Sequence, residues 1–151
     1  MSDWIGLPDN LNEDEHFGII YKITSNITGK YYIGKKQLWS TIKRPPLKGK
    51  TRKRKVTKPS DYQSYYGSSE EFKKEIEQHG KQNFIREVLA ITSCKWEQAY
   101  LELMFQLSHG VINSDQAMNG IINVRLGVVP KHLQEKYKNF WVDFGFNRDI
   151  D

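Results

Sequence analysis

"GIIYKITSNITGKYYIG", residues 18–34, decides how the fold begins. Residues 17–24 and 30–35 are rich in β-branched and aromatic side chains, and "SNITGK" between them supplies turn chemistry, with Gly29 free to take a positive φ. The stretch predicts a β-hairpin. Tyr21 and Tyr32 stand eleven residues apart, one on each arm. A four-residue loop at 25–28 would set Tyr21 directly across from Tyr32 on the same face, and a bulge at Gly29 would shift that register by one. Tyrosine is a common strand residue, so the two phenols alone do not speak of function.

The rest of the chain bounds the answer. Its 151 residues, 38% apolar and 13% aromatic, suit one domain with a real core. The single cysteine, Cys94, excludes an intramolecular disulfide framework and fits a reducing compartment. No apolar run approaches transmembrane length, and the opening "MSDWIGLPDNLNEDEH" is acidic rather than signal-like, so the expectation is a soluble, cytoplasmic protein. The net charge of +5 is modest but segregated: from His16 to Ser60 there is no Asp or Glu, while 13 of the 23 Lys and Arg fall there. All 18 acids lie outside that span. Such a positive field is the footprint expected for a polyanion partner, densest in "KRPPLKGKTRKRKVTK" at 43–58; a solvated basic loop or a localisation run is the plainer reading.

Beyond the hairpin, residues 36–60 are polar, basic and broken by Pro45, Pro46, Gly49 and Pro59, and read as a long loop. "SSEEFKKEIEQHG" predicts a helix with a Ser68/Glu71 capping box, an apolar face of Phe72 and Ile76, and a stop at Gly80. "NFIREVLAI" alternates as a third strand. "SCKWEQAYLELMFQLSHG" predicts a second helix from a Ser93 cap to Gly110, apolar on most sides and so surrounded by protein. A last helix is expected at about 130–141. The order is β-β-α-β-α-α: an α+β fold with a small three-stranded antiparallel sheet flanked by helices. Residues 1–16 read as an N-terminal arm, 17–126 as the main domain, and 127–151 as a C-terminal helix and tail packed on it.

Within the second helix, Glu102 is out of place among Leu101, Leu103, Met104 and Phe105. A carboxylate drawn into apolar surroundings is costly unless it is paired, hydrogen-bonded or metal-bound; an exposed flank position or a lysine salt bridge would also explain it. The four histidines, His16, His79, His109 and His132, have no metal-ligand spacing.

The two elements "GIIYKI" and "YYIG", at the head of a small α/β domain, resemble the GIY-YIG nuclease superfamily. The likeness extends to "YYGSSEEFKKEIEQHGKQNFIREVL", similar to the helix and third strand of phage and intron-encoded, homing-endonuclease-like members. It extends also to "YLELMFQ", where Glu102 stands at the family's metal-binding glutamate, and to "NGIIN", where Asn123 matches a late asparagine. About 110 residues, 17–126, are covered.

The resemblance implies an endonuclease that hydrolyses DNA phosphodiester bonds with one Mg²⁺ or Mn²⁺ on Glu102. Tyr21 would accept a proton from the attacking water or orient it, nearby lysines lowering its pKa, and Tyr32 would hydrogen-bond a phosphate oxygen or the nucleophile. Gly34 would let the substrate backbone come close. Two features depart from the pattern. The first motif is one residue longer than the name-giving one. The arginine that family members carry after the second motif is missing; Lys35 and Lys36 follow Gly34, and the first arginine is Arg44. Either Arg44 swings in or a lysine, Lys36, takes the place, as a point charge without the bidentate fork.

Lys35, Lys43, Lys48, Lys50, Arg52, Lys53, Arg54, Lys55 and Lys58 are the expected contacts to DNA, double-stranded by preference. No separate DNA-reading domain follows, which predicts low sequence specificity or a homodimer. Two other classes compete: a non-catalytic nucleic-acid-binding module on a degenerate fold, and an interaction protein whose basic segment meets an acidic surface.

Overall fold

The computed structural model describes residues 3–119, 121–122 and 125–138. Three strands form the antiparallel sheet: β1 (Gly18–Ser25) in the centre, β2 (Tyr31–Gln37) on one side and β5 (Phe84–Thr92) on the other. The centre falls to "GIIYKI" because it is apolar on both faces, and both are covered. Helix α1 (Glu70–His79) lays Phe72 and Ile76 on the face of Ile19, Tyr21 and Ile23. Helix α2 (Lys95–Ser108) lays Tyr100 and Leu101 on the opposite face, against Ile20 and Ile33. Each such side chain contributes about 1.5–3 kcal/mol on burial. The α+β architecture read from the sequence is the one observed. Among the described residues no helix is long and apolar enough to cross a membrane.

The hairpin register differs from the expected one. Tyr21 lies opposite Gly34, and Tyr32 opposite Ile23. Ser25 sets this: its amide donates to the Lys30 carbonyl at 2.8 Å, and its hydroxyl accepts from the amides of Ile27 and Thr28, both at 3.2 Å. The loop therefore runs from Asn26 to Gly29, whose φ of 76° takes the left-handed position. The shift is an even one, so Tyr21 and Tyr32 still share a face, as diagonal neighbours with ring centroids 6.1 Å apart. A bulge in the β1–β5 pairing falls between Ile20 and Tyr21.

The expected loop at 36–60 is instead a second, two-stranded sheet, β3 (Trp39–Arg44) with β4 (Arg54–Pro59). Its apolar signal is one Ile42–Val56 rung, which its lysines, arginines and prolines conceal. The ribbon is closed at its root. The Ser60 amide donates to the Leu38 carbonyl at 2.9 Å, the Leu38 amide to the Phe17 carbonyl at 3.0 Å, and the Trp39 indole N–H to the His16 carbonyl at 2.8 Å.

Both helix caps differ in detail. The cap of α1 is Ser69, whose hydroxyl accepts from the Phe72 amide at 3.3 Å, and Ser68 is left to bond elsewhere. Helix α2 starts after Cys94, and Ser93 serves it through Glu97: the Ser93 amide donates to the Glu97 carboxylate at 2.8 Å and the Ser93 hydroxyl at 3.2 Å. The expected last helix is a short 3₁₀ turn, Lys131–Leu133, followed by turns to 138, with Leu133 and Tyr137 as its buried apolar residues among the described ones; its end at 139–141 lies outside the described residues.

That segment is tied to α2 through Glu97, which is 1% exposed. The Tyr137 hydroxyl donates to its carboxylate at 2.6 Å and Lys136 at 2.8 Å. Burial alone would raise the Glu97 pKa, but the bonds from Lys136, Tyr137 and the Ser93 amide together hold it below the ordinary value. A depressed carboxyl stabilises the fold above its unfolded pKa, and that contribution is lost as pH falls through the folded one. Glu97→Gln is therefore expected to cost about 2 kcal/mol at neutral pH and progressively less on acidification below about pH 4. Urea melts of both proteins across that range measure it. Equal midpoints at pH 7 would show that the carboxylate holds nothing.

Candidate active site at the edge of the sheet

Tyr21 sits in an aromatic box. Trp4 meets its ring edge-on at 5.5 Å, and Tyr65 does so at 5.9 Å from a segment that comes over the sheet before α1. Only 1% of Tyr21 is exposed. Burial, followed by the neighbouring phenols of Tyr65 and Tyr32, holds its pKa far above the ordinary value. The expectation that lysines lower it is reversed, because a phenolate here would be stripped of water before any ammonium reached it. At neutral pH the group is a neutral phenol, able to donate a hydrogen bond.

Gly34 has a different use from the one expected. A Cβ there would lie 2.5 Å from the Tyr21 Oη and 2.8 Å from a Tyr32 ring carbon, so the tyrosines fill the space that glycine leaves. Tyr32 is less buried. Its hydroxyl shares a hydrogen bond with that of Ser68 at 3.2 Å; burial raises its pKa and the Ser68 bond partly opposes this.

Glu102 belongs to α2, on the other face of the sheet, yet it reaches the same place. β2 is an edge strand, and Tyr32 and Glu102 meet around that edge in a cleft of about 410 Å³, lined also by Ser69, Gln106, Met118 and Asn119. The Glu102 side chain is 14% exposed, with Lys35 Nζ at 3.8 Å. Burial raises its pKa and Lys35 lowers it in part. Its charge is felt by both Tyr21 and Tyr32, which places the three groups in one electrostatic neighbourhood.

The two candidate cations part company. Lys36 is drawn in: its ammonium lies 4.2 Å from the Tyr65 ring centroid and 2.6 Å from an Asp61 oxygen, whose pKa it lowers. Arg44 is not. It pairs with Arg54 at the far end of the ribbon, five residues and roughly 17 Å from the root. Lys43, Lys48, Lys50, Arg52, Lys53, Arg54, Lys55 and Lys58 are all exposed, on the ribbon or its tip. Asn123 lies outside the described residues.

Three residues escaped the sequence reading. Asn119, first of "NGIIN", imitates a strand partner: its side chain donates to the Ile33 carbonyl at 2.7 Å and accepts from the Ile33 amide at 3.1 Å. It thereby closes the edge of β2 beside the cleft. Arg86, 3% exposed, donates to the carbonyls of Gln63 and Tyr65, both at 2.9 Å, and so fixes the segment that carries Tyr65. Burial lowers its pKa, while the rings of Trp4 and Tyr66 lie against its guanidinium. Tyr65 itself carried no signal beyond the tyrosine doublet at 65–66. Each acts through a contact between chain segments far apart in sequence.

Among the described residues no three His, Cys, Asp or Glu cluster as a metal centre, and Glu102 is the carboxylate that lines the cleft. No curated protein and no solved structure matches the chain. A family model described as the GIY-YIG domain of the putative endonuclease segE matches residues 6–122, which include both strand motifs, Lys36, Tyr65, Arg86, Glu102 and Asn119. With most of its length matched and the sheet, helices and motif order in place, the chain belongs to the GIY-YIG endonuclease family.

Proposed function

We propose that the chain is a metal-dependent endonuclease that hydrolyses DNA phosphodiester bonds in the cleft beside β2. The observation that carries this is the meeting of Tyr32 and Glu102 in one cleft from opposite faces of the sheet. A hard divalent cation, Mg²⁺ or Mn²⁺, fits Glu102: the carboxylate is largely buried, borders the cleft, and has the 45%-exposed Lys35 as its ion-pair partner among the described residues. When bound, the ion would supply charge stabilisation at the scissile phosphate and leaving oxygen. Lys35 is free to swing to a phosphate oxygen as the carboxylate is taken up.

The chain's own groups do the rest. Tyr32 presents its hydroxyl to a phosphate oxygen, with Ser68 fixing its direction. Tyr21, neutral and buried, packs edge-on against Tyr65, and the pair orients the attacking water rather than carrying off its proton as a free phenolate. Lys36, over the Tyr65 ring, is the cation in the position of the missing arginine.

Supercoiled plasmid incubated with Mg²⁺ or Mn²⁺ is expected to pass to nicked or linear forms, and EDTA to stop it. No cutting with any divalent cation, together with retained affinity for DNA, would favour the non-catalytic binding module.

A further inference from the structure

Residues 39–59 hold nine lysines and arginines and no acid. They form a ribbon that no third strand joins among the described residues. Two of its rungs set like charges directly opposite, Lys43 against Lys55 and Arg44 against Arg54, an arrangement that weakens a ladder. Isolated two-stranded hairpins are marginal in water even without such repulsion. All nine cations are exposed, and none meets a carboxylate among the described residues. So concentrated a positive charge is the surface that a polyanion recognises.

We propose that the ribbon lies in the major groove of duplex DNA next to the phosphate that is cut, with Arg44 and Arg54 at base edges and the lysines on phosphates. Six residues per strand give a length of about 20 Å. The major groove of B-form DNA, about 12 Å wide, admits a two-stranded ribbon, whereas that of A-form RNA is too deep and narrow. Arginine is the side chain suited to the O6 and N7 atoms of guanine, and a paired rung of two sets them side by side.

The ribbon is also joined to the cleft. At its root lies a depression lined by Lys35, Lys36, Gln37, Ser40, Thr41 and Gln98. Gln98 is 2% exposed, and its amide nitrogen has no acceptor among the described residues. A phosphate in this depression would lie next to the two lysines that border Glu102 and Tyr65. Lys35, ion-paired to Glu102 of the cleft, lines this depression too, so a strand held in the cleft passes Lys35 on its way to the ribbon. The placing beside a cut phosphate rests on the nuclease reading; the groove contact does not. Base readout then needs no separate DNA-reading domain, contrary to the low specificity expected from the sequence.

The test is a binding selection from a random duplex pool in EDTA, followed by guanine N7 methylation interference on the selected sites. The full chain is expected to enrich a short motif with at least one guanine whose N7 methylation blocks binding. Arg44→Lys with Arg54→Lys keeps the charge and should lose roughly tenfold or more in preference for that motif. Lys43→Gln with Lys55→Gln should keep the motif and flatten the slope of log affinity against log salt by about 2. No enriched motif, a motif unchanged in the arginine variant, no interference from guanine N7 methylation, or tighter binding to duplex RNA would each overturn the proposal. A protein that passes these tests but never cuts would sink the nuclease reading alone.

Discussion

Replacing Glu102 by glutamine is expected to lower metal-dependent nicking by roughly 10³-fold while DNA affinity in EDTA stays near wild type. The amide keeps the shape of the carboxylate and its place in the cleft but cannot hold a hard cation. Misfolding would not explain the loss. Burial disfavours the ionised carboxylate in the folded chain, so a neutral amide should leave the melting temperature equal or slightly raised. Lys35, left behind, is 45% exposed and stays in water. Cutting by the glutamine variant at more than a tenth of the wild-type rate would remove Glu102 from the reaction.

Tyr21→Phe is the second large effect. The ring stays, with its contacts to Trp4 and Tyr65 at 5.5 and 5.9 Å, and only the hydroxyl goes. Removing that buried hydroxyl is expected to change stability by no more than about 1 kcal/mol, which a single domain tolerates. Cleavage should fall by roughly 10²-fold or more, because the hydroxyl set between Gly34 and Gly67 beside Tyr32 is gone. Tyr31→Phe is the control. Tyr31 points to the opposite face, where its hydroxyl donates to the His109 carbonyl at 3.1 Å, so that variant should lose a little stability and cut normally. Equal rates for both variants would reduce Tyr21 to a packing residue.

What the sequence made legible follows from where the signals lie. Central strand β1, helix α1 and strand β5 declare themselves by local patterns: an apolar run interrupted at Lys22, a serine cap with a Phe72/Ile76 face, and a second stretch rich in apolar residues at 84–91. Tyr21, Tyr32 and Glu102 stand out within such elements. The ribbon did not show, because charge occupies five of its twelve strand positions and the proline pair at its tip reads as a break. The register did not show either, since a serine hydroxyl decided where the turn begins. Tyr65, Arg86 and Asn119 do their work across gaps of 21 to 86 residues, and no local pattern carries that distance.

Seen from the sheet, the ribbon is a closed circuit. Its two ends meet at Leu38 and Ser60, and the strands that carry Tyr21 and Tyr32 are already paired and capped without it. The free energy of closing such an excursion grows only with the logarithm of its length, about 0.6 kcal/mol for each doubling. Residues 39–59 can therefore be lengthened, shortened or exchanged for another ribbon at little cost to the frame that holds the tyrosines. What the protein selects and what it does to the selected strand are separable in the chain, joined at one hydrogen-bonded seam.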